Sequence, residues 1–71
     1  MFRYYVSLRN ECTDWEDTDI QSNNLRKMTA EARDLQRILS PEKKDAGMYY
    51  AVFERLGGDL DDFQVYSANG Y

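Results

Sequence analysis

The sequence contains no histidine. Imidazole is the commonest general base at neutral pH, the usual partner of a serine or cysteine nucleophile, and the commonest metal ligand. Its absence excludes most classes of enzyme. Cys12 is the single cysteine, and its acidic neighbours Glu11 and Asp14 favour the thiol over the reactive thiolate. We therefore predict a non-enzymatic protein with no catalytic residues and no cofactor.

Basic residues and long apolar runs are also scarce. The chain has nine lysines and arginines and thirteen acidic residues, which gives a net charge of −4. A negative field disfavours binding to nucleic-acid phosphates or to anionic membranes. No stretch approaches the ~20 apolar residues of a membrane span, and no apolar leader follows Met1. A lone cysteine also excludes an internal disulfide, so we expect a cytoplasmic protein. Because the net charge is negative, we expect its partners to be basic proteins.

The chain is short, with 71 residues. We expect a single domain over residues 1–71, because a second independent core does not fit in this length. A domain of this size buries only about 60% of its unfolded surface, so its core is thin. Association with a partner or with a second copy would therefore add to its stability.

The first half of the chain predicts a strand followed by an acidic loop. In residues 2–9, Phe2, Tyr4, Val6 and Leu8 alternate with more polar residues, which predicts a strand with one buried face. Residues 10–19 have neither a helical nor a strand period and are interpreted as a solvated loop. Residues 19–22 carry a weaker signal for a short second strand.

Helical spacing is the clearest pattern in the chain. Apolar residues separated by three or four positions form one stripe: Leu25, Met28, Ala32, Leu35 and Leu39. Two starts fit this helix, one capped within Asn23–Asn24 and one capped by Thr29. Ser40 followed by Pro41 predicts a second, short helical turn that reaches residue 45.

Residues 48–55 and 63–67 are rich in aromatic and β-branched residues and predict a hairpin. A tight turn at Gly57–Gly58 would pair Val52 with Phe63, whereas a longer loop through residues 59–62 would pair Phe53 with Phe63. The two registers bury opposite faces of the first strand. The predicted fold class is α+β, a small antiparallel sheet of three or four strands in the order β-[β]-α-β-β, with one main helix packed on one face.

Three surfaces are candidates for binding. The acidic segment and a lone tryptophan supply Asp14, Trp15, Glu16, Asp17 and Asp19. The sheet face away from the helix should present aromatic residues, among which tyrosine suits contact surfaces, namely Tyr5, Tyr49, Phe53 and Tyr66, or Tyr50 in the other register. A secondary charged patch follows one side of the helix, formed by Arg26, Arg33 and Arg37.

The acidic segments do not predict a metal site. A calcium loop opening at Asp17 would have Ser22 where glycine is needed and Met28 where the final acid is needed. The second acidic cluster, Asp59, Asp61 and Asp62, follows Gly57–Gly58 and matches no ligand motif. We interpret both clusters as solvated.

The predicted function is a small acidic binding module that docks on a basic protein surface. In size and charge the chain resembles small acidic proteins of phages and mobile elements, including anti-CRISPR proteins and DNA mimics, and no residue motif carries this resemblance. The resemblance implies an inhibitor whose carboxylates occupy the lysines and arginines that a partner uses to hold nucleic acid. The alternative is a structural or regulatory homodimer that uses the open sheet face or an edge strand.

Overall fold

The computed structural model describes residues 1–10 and 15–69, so the predictions made for Glu11, Cys12 and Asp14 lie outside the described residues. The elements in chain order are β1 (Tyr4–Arg9), β2 (Trp15–Ser22), α1 (Leu25–Ile38), α2 (Pro41–Asp45), β3 (Tyr49–Glu54) and β4 (Phe63–Ser67). The strands form one antiparallel sheet in the order β2-β1-β3-β4. Helix α1 packs on one face of this sheet, which confirms the predicted α+β class.

β1 is buried on both faces, and the prediction of one buried face was wrong. Tyr5 and Ser7 are buried, as Val6 and Leu8 are. The strand lies in the middle of the sheet, and both of its faces are covered, by α1 on one side and by aromatic and arginine side chains on the other. Phe2, expected on the apolar face, precedes the strand and is 46% exposed.

Residues 15–19 are part of a strand, and their assignment to a solvated loop was wrong. β2 extends from Trp15 to Ser22 and pairs with β1, with an irregularity opposite Val6. Thr18 bridges this irregularity, because its hydroxyl donates a hydrogen bond of 2.7 Å to the Val6 carbonyl. An edge strand with exposed side chains needs no apolar period, since its backbone pairing holds it in place. The short strand predicted over residues 19–22 is the second half of this longer one.

Helix α1 starts at the first of its two predicted sites. The Asn24 side chain accepts a hydrogen bond of 3.2 Å from the backbone N–H of Lys27, whereas Thr29 lies within the helix. Met28 and Ala32 pack against Val6 and Val52 in the main apolar cluster. Burial varies among the remaining residues of the stripe, since Leu35 is half-buried and Leu25 is exposed. Ser40 and Pro41 begin α2 as predicted.

The β3–β4 hairpin has the longer loop, and its register lies one residue beyond the predicted longer-loop register and two residues beyond the predicted tight-turn register. Glu54 pairs with Phe63, and a bulge follows, so that Val52 pairs with Tyr66. Gly57 and Gly58 have positive φ values of 76° and 61° and lie inside the loop rather than forming a two-residue turn. The bulge turns Tyr66 toward the helix, where it packs against the main cluster.

Candidate functional site

A groove of about 380 Å³ lies on the sheet face opposite α1. Its walls come from β1, β2, β3 and the β3–β4 loop and are formed by Tyr5, Arg9, Trp15, Asp17, Phe53, Asp61 and Asp62. Antiparallel pairing explains the assembly, since Arg9 lies opposite Trp15, Ser7 opposite Asp17, and Tyr5 opposite Phe53. The fold thus brings together two acidic segments that are far apart in sequence.

Aromatic rings and arginines form a continuous stack across this face. The rings of Tyr5 and Phe53 are stacked, with centroids 5.7 Å apart and planes 19° from parallel. The Arg9 guanidinium lies 4.0 Å from the centroid of Phe53, and that of Arg55 lies 4.4 Å from the centroid of Tyr5. These contacts leave Tyr5 only 7% and Phe53 only 8% exposed. Side chains thus cover the face that no helix covers.

Hydrogen bonds position two of the carboxylates. The Tyr5 hydroxyl donates to Asp62 Oδ2 at 2.6 Å, which holds the end of the β3–β4 loop against the sheet. The Ser7 hydroxyl donates to Asp17 Oδ1 at 2.9 Å, and Arg9 Nε donates to Ser7 Oγ at 3.0 Å. Burial, together with the hydrogen bond to Asp62, raises the pKa of Tyr5 to about 12. The phenol therefore stays protonated and keeps donating throughout the physiological range.

The open side of the groove presents Trp15 and carboxylates. Trp15 is 60% exposed, and its ring centroid lies 5.4 Å from the Arg9 guanidinium. Asp17 and Asp61 are exposed beside it. An aromatic face next to carboxylates attracts a lysine or arginine side chain by cation–π and charge-assisted contacts. Arg9 already contacts this ring, so a cation of a partner would enter beside it, where Asp17 and Asp61 are exposed.

The structure brings together some of the residues predicted from the sequence and separates others. Trp15, Asp17 and Tyr5 share the groove, although Tyr5 is buried rather than outward-facing. Tyr49 lies on the same sheet face and packs against the smaller apolar cluster. Tyr66 was wrongly placed on this face, because the bulge in β4 rotates it to the helix side.

The other predicted binding residues lie outside the groove. Glu16 and Asp19 are exposed on β2 but do not line it. The predicted basic row is exposed on α1, across the sheet from the groove, and comprises Arg26, Arg33 and Arg37. Within it, Arg37 forms a loose ion pair of 3.7 Å with Asp34.

Three groove residues were missing from the predicted binding surfaces, namely Arg9, Asp61 and Asp62, whereas Phe53 was expected on this sheet face. Arg9 continues the polar alternation of β1, and this alternation was the available signal for it. Asp61 and Asp62 were recognised as an acidic cluster, but their proximity to Asp17 depends on a long-range strand order that the local pattern does not contain.

In residues 1–10 and 15–69, no three acidic or cysteine side chains come together in a way that could hold a metal ion. In the same part of the chain, no helix is long and apolar enough to cross a membrane. No protein-family model, curated protein or solved structure matches this chain.

Proposed function

We propose that this protein is a non-enzymatic binding domain that docks on a basic protein surface and receives a lysine or arginine side chain of its partner in the groove. The observation that carries the proposal is that Asp17, Asp61 and Asp62 line one groove together with the exposed Trp15. These carboxylates come from β2 and from the β3–β4 loop, so a folded sheet is required to assemble them.

Charge favours a basic partner at this site. The whole chain carries −4, and β2 adds Glu16 and Asp19 next to the groove. Such a surface speeds the encounter with a cationic partner and slows the encounter with an anionic one. Carboxylates alone offer little apolar contact area, and Trp15 supplies it. Tryptophan side chains that a partner buries are frequent anchors of interfaces.

Hydrogen bonds within the chain fix two of the carboxylates that line the groove. Asp17 is held by Ser7, and Asp62 is held by Tyr5, so little side-chain entropy remains to be lost when a cation binds. On a partner that holds nucleic acid with the same lysines and arginines, docking would compete with the phosphates. The proposed biological role is therefore inhibition of a protein that handles nucleic acid.

Isothermal titration calorimetry with short oligo-arginine and oligo-lysine peptides tests the groove, with oligo-glutamate as the negative control. We expect the basic peptides to bind and their affinity to fall as salt is added. Asp17→Asn combined with Asp61→Asn should weaken binding at least about tenfold, because two fixed charges leave the site. Trp15→Ala should weaken it by a similar factor.

The matched control is Glu42→Gln combined with Asp45→Asn, which changes the net charge by the same amount on α2. If this control weakens binding as much as the groove pair does, attraction is a property of the net charge and the groove has no role. Absence of binding by every basic peptide at low salt would also contradict the proposal. Circular dichroism of each variant verifies that the fold is intact.

A further inference from the structure

The cations and rings on the groove face form a single row, and this row has an open end. Its members, in order, are Arg55, Tyr5, Phe53, Arg9 and Trp15. Tyr5 has Arg55 and Phe53 as neighbours, and Phe53 has Tyr5 and Arg9. Trp15, the last member, has Arg9 as its neighbour, at 5.4 Å from the guanidinium to the ring centroid.

The exposure of the three rings follows their position in the row. Tyr5 and Phe53 are buried, whereas Trp15 is 60% exposed on the edge strand β2. Among residues 1–10 and 15–69, Arg9 is the one cation that lies over the indole, and no ring stacks on it. The part of the indole that Arg9 leaves uncovered is an aromatic surface that a partner can cover.

The carboxylates of the groove keep their charge for an incoming cation. Asp17 and Asp62 accept hydrogen bonds from the hydroxyls of Ser7 and Tyr5, which are neutral donors. In the described part of the chain, neither of the two ion pairs involves a residue of the groove. The lining contains three carboxylates and one guanidinium, so the groove has a negative net charge.

The open end of the row favours a guanidinium over an ammonium group. A guanidinium is planar and weakly hydrated, so it stacks on an indole while its N–H groups donate to carboxylates in its own plane. An ammonium group is strongly hydrated and binds as a point charge, so it gains less from a ring that is open to water. Both cations already in the row are arginines, whereas Lys27, Lys43 and Lys44 lie on the helices.

We propose that the groove selects arginine over lysine, an inference that rests on the proposed binding function. The partner's guanidinium continues the row by stacking on the part of the Trp15 ring that Arg9 leaves uncovered. Its N–H groups donate to the exposed carboxylates of Asp17 and Asp61. The partner therefore presents an arginine at the centre of its basic surface.

Calorimetric titration with oligo-arginine and oligo-lysine peptides of equal length and charge tests this selectivity. We expect the wild type to bind oligo-arginine about fivefold more tightly. Trp15→Leu keeps an apolar residue at the start of β2 but removes the ring, and it should bind both peptides with equal affinity. The matched control, Phe63→Leu, removes an exposed ring outside the groove and should keep the preference. Circular dichroism verifies folding of both variants.

Nuclear magnetic resonance of isotope-labelled oligo-arginine adds a direct signature of stacking. Side-chain protons of the bound arginine should move upfield with the wild type, because they lie over the indole, and should not move with Trp15→Leu. Equal affinity of the wild type for the two peptides would overturn the selectivity and leave the basic-partner proposal in place. A preference that survives in Trp15→Leu would also overturn it, whereas binding of neither peptide would overturn both proposals.

Discussion

Tyr5 links the two elements that border the groove, because its ring stacks on Phe53 and its hydroxyl binds Asp62. A tyrosine titrates near pH 10 when unfolded, and in the folded chain the pKa of Tyr5 is raised to about 12. Below pH 10 both states hold the proton, and the stabilisation is complete. Between pH 10 and 12 the unfolded state loses its proton first, so stability falls as the pH rises.

Urea denaturation at pH 8 and at pH 11 tests this linkage. We expect Tyr5→Phe to lower the free energy of unfolding at pH 8 by about 1 to 2 kcal/mol through loss of the hydrogen bond to a carboxylate. The fall in the free energy of unfolding between pH 8 and pH 11 should also be smaller in Tyr5→Phe than in the wild type. Tyr49→Phe, on the same face but without a bond to Asp62, is the control and should show the same fall as the wild type. Equal pH dependence in wild type and Tyr5→Phe would contradict the assigned role.

A substitution at Phe53 tests whether side chains on the sheet face without a helix contribute to stability as core residues do. Phe53→Leu keeps the residue apolar but removes the stacked ring, and we expect it to lower the free energy of unfolding by about 1 to 2 kcal/mol. Phe63→Leu makes the same chemical change at an exposed position and should alter it by less than about 0.5 kcal/mol. Chemical denaturation of both at one concentration gives the comparison. Equal effects would mean that the arginine cover does not shield Phe53 from water.

Among the elements, α1 shows how a cap decides where a helix begins. Asn24→Ala removes the side-chain acceptor for the Lys27 N–H and should destabilise the protein by about 1 kcal/mol. Thr29→Ala replaces a residue inside the helix with a better helix former and should be neutral or slightly stabilising. Thermal unfolding followed by circular dichroism measures both changes. The opposite ranking would place the helix start at Thr29.

The sequence predicted those elements whose signal is local. The stripe that includes Met28 and Ala32 predicted α1, and Ser40 with Pro41 predicted α2, because a helix repeats its environment over neighbouring residues. β2 was mistaken for a loop because its exposed side chains carry no period, and it is held by backbone bonds to a distant strand. The hairpin register was missed because no residue pattern shows that Glu54, rather than Val52 or Phe53, pairs with Phe63, and a bulge then shifts Tyr66 by one further position.

For the site, the residue types were predictable and their assembly was not. The density of acids around Trp15 drew attention to that segment, but Asp61 and Asp62 reach it only because β3 pairs with β1 rather than with β2. The burial of Tyr5 likewise depends on Arg55 and Asp62, which are distant in sequence. Strand order is a property of the whole chain, and short-range patterns constrain it weakly.

At the scale of the whole molecule, the sheet has an apolar cluster on each face but a helix on only one. Val6, Met28, Ala32 and Val52 form the helix-side cluster, and Tyr5, Ala51 and Phe53 form the other. The two faces are thus stabilised in different ways, one by a packed helix and the other by stacked rings under arginines. The groove lies on the face that carries the second cluster.

Trp15 is the single tryptophan of the chain, and it borders the groove with most of its surface in water. Its fluorescence therefore reports on this one location without any attached label. A protein surface that enters the groove displaces solvent from the indole and shifts its emission to the blue, whereas a contact far from β2 leaves the spectrum unchanged. The native chain thus carries its own optical reporter of the groove.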